Sequence, residues 1–174
     1  MSLPKQLLGA ILVVATTASL AIPATAGAKA GDRTFQETYP GATRLCAEVA
    51  AGKRKRLQPF ATRILTDCSA LQTGFTAAQS AVLLSRGATA ASIAIDRAAI
   101  ALACPPPLVG HPACEHTRHV ELLAIATMKR LQTHAARRYY RIIEANRRLF
   151  WHAIKALPGT RHLRADAPIV EQDS

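Results

Sequence analysis

From Glu115 to Leu157 the chain runs 43 residues without a glycine or a proline. Such a stretch has no internal Gly or Pro to punctuate it, and with a helical pattern it is expected to form one long helix. Val120, Ala124, Met128, Leu131, Ala135, Ile142, Leu149 and Ala153 give it an apolar face at helical spacing. The Cys104-Pro105-Pro106-Pro107 run and Gly110-His111-Pro112 precede it, and Pro158-Gly159 stops it.

A second segment has the same character. Phe60, Ile64, Cys68, Leu71, Phe75, Ala78 and Val82 step by fours and threes, which keeps one stripe on one face. Arg86-Gly87 resembles a stop, yet the phase resumes at Thr89, Ile93, Ile100 and Cys104. A corner between two helices would keep that phase only by accident, and a long packed helix can absorb the ~1 kcal/mol of an internal glycine. The pattern predicts one helix over about 59–103. The alternative is a break at 86–88, which would give a four-helix bundle. A shorter helix is expected over about 40–57, with Lys53-Arg54-Lys55-Arg56 in its last turns opposing the helix dipole. Nothing reads as a strand.

The expected architecture is therefore all-α. A long antiparallel hairpin (about 59–103 and 115–157) carries the N-terminal helix (about 40–57) at its open end. Four cysteines allow three pairings. Cys104 and Cys114 flank the hairpin loop, and a fold-back near Leu57 brings Cys46 level with Cys68, so the pairs Cys46–Cys68 and Cys104–Cys114 follow. Aromatic placement agrees. Phe35, Tyr39, Phe60, Phe75, Tyr139, Tyr140, Phe150 and Trp151 all map to the three-helix end. The opposite end is rich in alanine, as two closely approaching helices require.

The first residues read as a secretory signal. Lys5 precedes an uncharged apolar run from Leu7 to Ile22, and small-residue sites allow cleavage after Ala26 or Ala30. The domains expected are a signal peptide at 1–30, a single helical domain at 31–157 and a flexible polar tail at 158–174. The location is secreted or extracytoplasmic, in the cell envelope, with no transmembrane segment after cleavage.

The net charge of +11 points to anionic partners outside the cytoplasm. On a helical wheel Arg130, Arg137, Arg141, Arg148 and Lys155 fall in one sector of the third segment, opposite its apolar face. His119 joins them, and His116, His134 and His152 border the sector. This cationic stripe is about 37 Å long and suits an extended polyanion or an anionic cell-surface component. No specific nucleic-acid recognition is implied. The histidines would strengthen it at mildly acidic pH. Tyr140 and Trp151 lie beside it, either exposed for a ligand or capping against Phe35 and Tyr39.

His111, His116 and His119 crowd near Cys114 and Glu115 and merit consideration as a metal site. Their spacing matches neither a metalloprotease helix nor a haem attachment, and Cys114 is expected to be oxidised. The chain has no phosphate-binding glycine loop and no nucleophile elbow. Asp96 falls on the apolar stripe of the second segment and Arg138 on that of the third. The three tail carboxylates fall outside the expected domain. The expectation is a non-enzymatic basic helical protein that needs no cofactor. The alternatives are a secreted enzyme or small-ligand carrier with a pocket at the three-helix end, and a membrane-active helix.

Overall fold

A computed structural model describes residues 29–170. Helix α1 spans Phe35–Thr38, α2 Pro40–Ala50, α3 Ala61–Ala103 and α4 Pro112–Lys155. Short 3-10 turns occupy Lys55–Phe60 and Pro106–Leu108. The described residues contain no strand. The expected signal peptide at 1–30 lies outside the described residues as far as residue 28, the expected cleavage site at Ala26 with it, as do 171–174.

The two long helices, 43 and 44 residues, are each about 65 Å long and lie side by side. Two observations fix their direction. Cys104 is bonded to Cys114 across the loop. Far from the loop, a Cβ on Gly74 would stand 2.7 Å from Asn146 Nδ2. Position numbers fall on one helix as they rise on the other, so the pair is antiparallel. The contact at Gly74 also explains the residue: without a side chain, Asn146 can lie against the α3 backbone. Helix α3 continues through Gly87 without interruption, so the break at 86–88 does not occur. Cys46–Cys68 staples α2 to α3. Both disulfides form as the spacing implied, and such bonds belong to an oxidising, extracytoplasmic environment. Among the described residues no helix is long and apolar enough to cross a membrane.

The core sits at the head of the hairpin. Tyr39, Ile64, Ile143, Ile154 and Val49 are fully enclosed there. Phe35, Tyr39 and Phe75 meet edge to face with ring centroids 5.3–5.8 Å apart. Buried Tyr39 donates its hydroxyl to the Ile143 carbonyl at 2.8 Å, and burial holds its pKa well above the usual tyrosine value.

Three expectations need correction. The N-terminal helix ends at Ala50, not near Leu57. Gly52 adopts φ +68°, and the Gly52 and Lys53 amides donate to the Val49 and Glu48 carbonyls. That is a Schellman closure, which a left-handed glycine makes easy. Lys53–Arg56 therefore lie beyond the helix, and Arg54 reaches back to Glu48 at 2.6 Å. Next, Thr34 and Glu37 form a reciprocal capping box that starts the one-turn α1, an element absent from the periodicity. Last, the tail is seated rather than loose as far as residue 170. Thr160 is fully buried and donates to the Ile154 and Leu157 carbonyls. Leu163, Ala165 and Ile169 pack against the core.

Candidate functional site

Helix α4 builds the site. It begins at Pro112, whose missing N–H is harmless in a first turn, and the His111 side chain accepts from the Ala113 amide at its N-terminus. Its inner face carries Ile125, Tyr139, Ile143, Phe150 and Ile154 into the hairpin seam and head. This is not the apolar face expected from the sequence, of which Val120, Leu131 and Leu149 are exposed. Arg130, Arg137, Arg141, Arg148 and Lys155 are exposed on the side away from the inner face, at the seven-four-seven-seven spacing that keeps them in one row.

The row is bounded by the seated tail, which the sequence did not foretell. A groove about 570 Å³ in volume runs beside it, lined by His134, Arg137, Tyr140, Arg141, Glu144, Ile169 and Val170. Past Lys155 the same edge continues into a depression lined by Arg161 and His162. Tyr140 is half-buried and belongs to the groove wall.

Glu144 is the acidic counterweight. Its carboxylate accepts from Arg147 Nε and Nη2, both at 2.7 Å, from Arg148 Nε at 2.7 Å and from the Ile169 amide at 3.0 Å. The Arg147 hydrogen bonds lead the causes that pull its pKa down to about 2, with the Ile169 amide and Arg148 adding to them against burial. Arg148, one of the five row cations, is thus already engaged at its Nε.

Trp151 is not an exposed ligand platform. It is 5% exposed, and its indole N–H donates to Asp166 Oδ2 at 3.0 Å. Asp166 also accepts from the Gly41 amide at 2.5 Å and the Ala42 amide at 3.1 Å. Tyr39, at the N-cap of α2, makes no side-chain hydrogen bond to the first amides of the helix, so a carboxylate from the tail supplies the cap. Beside this contact lies an open cleft of about 400 Å³, with Leu45, Trp151 and Leu163 as apolar walls and Arg44, Arg54 and Arg164 at its edges.

The remaining candidates are not brought together. Among the described residues no group of three His, Cys, Asp or Glu side chains could hold a metal ion. His111 caps α4, Cys114 is in a disulfide, and His116 and His119 are exposed. Asp96 is half-buried, and its Oδ2 makes no hydrogen bond among the described residues. Arg138 is exposed, not in the core. No protein-family model, curated protein or solved structure matches the chain.

Proposed function

We propose that this is an exported, non-enzymatic helical protein whose α4 presents a cationic row to an anionic surface or polymer. One observation carries the reading: Arg130, Arg137, Arg141, Arg148 and Lys155 stand exposed along a single uninterrupted helix. Arg137 and Arg141, four apart, form a like-charge pair that mildly destabilises a helix, so stability alone does not account for the row, although Arg148 is paired with Glu144. The groove between the row and the tail adds a half-buried aromatic, Tyr140, beside the charges.

Retention on a heparin column tests it. The oxidised protein should elute only at raised salt. R137Q/R141Q/R148Q should elute earlier, with the log–log salt slope reduced by roughly 2–3, close to one per lost contact. Retention unchanged by the three substitutions contradicts the proposal.

Export by a cleaved signal peptide belongs to the same reading. Ala30 is buried, and its carbonyl accepts from Arg86 Nη1 at 3.1 Å, which favours cleavage after Ala26. N-terminal sequencing of the exported protein should begin at Gly27; a start at Gly31 or at Met1 would contradict this.

A second reading is favoured by the cleft at Arg44, Arg54 and Arg164. There the protein carries a small organic anion, with Trp151 and Leu163 against its apolar part. Calorimetric titration with an aromatic carboxylate, abolished by R44Q/R164Q but not by the row substitutions, would select it.

A further inference from the structure

The head of the hairpin is closed by α2 and the tail, but its far half has only two layers. Between Leu84 and Leu131 just Thr89, Cys114 and Ile125 are buried. Along this half α3 is apolar on every side, since Gly87–Ala103 holds only two charges, Asp96 and Arg97. A helix of that kind is normally enclosed.

The uncovered residues are ordered. Leu84, Ala88, Ala91, Ile95, Ala98 and Leu102 follow one another by 4-3-4-3-4, and all are exposed, Leu84 at 74%, Ile95 at 69% and Leu102 at 83%. This is the heptad spacing of a coiled-coil seam. At 100° per residue the row lies more than a third of a turn from the buried row of Leu71, Ala78, Val82 and Thr89. The N-terminal segment covers the opposite flank, where Gly31 abuts Leu83 and Arg86 binds Ala30. On α4, Val120 and Leu131 are also exposed and lie about half a turn from Tyr140, which borders the same N-terminal segment. Both apolar rows therefore share the face that the N-terminal segment leaves open. The α3 row contributes no charge to it, and Arg138 ends the α4 flank.

We propose that this face is covered by a second copy of the same chain, two hairpins meeting to form a four-helix bundle over their far halves. Three observations favour a copy over another occupant. The rows are self-complementary, with small alanines alternating with Leu and Ile that can seat as knobs in holes. The face measures about 27 Å by about 20 Å, or roughly 1,100 Å² over two copies, just above the roughly 1,000 Å² that a specific interface must clear. A chain with a net charge of +11 can approach its twin closely only across a surface poor in cations. The α4 cation row points away from it, so pairing leaves that row open and does not depend on its function.

Sedimentation equilibrium of the oxidised protein at tens of micromolar tests the proposal. The expected mass is that of a dimer. I95E/L102E should weaken association at least about 100-fold while leaving the circular dichroism of the folded chain intact, because both side chains are exposed in the single copy. A88E, which removes no side chain, should act in the same direction and guards against a misfolded double variant. R137Q/R141Q/R148Q should remain dimeric. A monomeric wild type, a dimer indifferent to I95E/L102E and A88E, or a monomer that binds neutral phosphatidylcholine vesicles through this face would each overturn it.

Discussion

The carboxylate of Asp166 collects three N–H groups, the Gly41 and Ala42 amides that open α2 and the Trp151 indole in α4. One side chain thereby ties the tail, α2 and α4 together, and removing it leaves buried donors unpaired. D166A should cost about 2–3 kcal/mol in urea denaturation, and D166N, which keeps an acceptor, clearly less. A loss under about 0.5 kcal/mol would place it with ordinary surface changes and contradict this account. Glu144 gives a pH dependence of defined sign. Its pKa in the fold is about 2, below the ordinary value near 4.3, so the fold favours the charged form. Its contribution is complete above about pH 4.3, shrinks as pH falls, and is gone below the folded pKa. Comparing wild type with E144Q by denaturation should show a difference on the order of 2 kcal/mol at neutral pH that closes between about pH 4 and 2. A difference independent of pH would exclude the charge as its source. Neither residue was legible in the sequence as a structural centre. A lone acid in a polar tail carries no period, and its partners lie 125, 124 and 15 positions away.

At the scale of the element, two glycines in basic surroundings behave in opposite ways, and the sequence separated them only in part. Gly87 lies within an unbroken hydrophobic phase, and that phase rightly implied a continuous helix. Gly52 precedes Lys53–Arg56 with no apolar period to continue, and the helix ends just before it. The Schellman closure there depends on a left-handed backbone, and the charged run masked that signal. The structure leaves open space where a Gly87 Cβ would be. G87A should therefore stabilise the chain by about 0.5–1 kcal/mol, measured as a rise in melting temperature. At Gly74 the same substitution would meet Asn146 and should lose part or all of that gain. A destabilising G87A would show that α3 needs a bend at this point.

Across the whole molecule, the hairpin and both disulfides were readable because they rest on long, redundant patterns. One period on α3 runs through its buried residues from Ile64 to Thr89, and α4 is a long run without Gly or Pro. Cys104 and Cys114 sit at the ends of two segments of nearly equal length. The inner side of α4 was not readable, because it carries apolar residues on two flanks and only packing selects one. The seated tail was not readable, because a few apolar residues and one carboxylate hold it without periodicity, and the capping box was passed over because it opens a single turn. The candidate site is legible to the same degree. The five cations follow the wheel, whereas the tail wall, the Glu144 network and the burial of Trp151 depend on contacts between remote positions. On the proposed reading, the exposed edge of α4 is where the protein meets an anionic polymer. Hydrogen–deuterium exchange of the oxidised protein, with and without a heparin oligosaccharide, tests it most directly. Slowed exchange is expected, confined to α4 from about Arg130 to Lys155 and the adjoining turn to His162. Protection centred instead on Arg44, Arg54 and Arg164, or no change along α4, would contradict it.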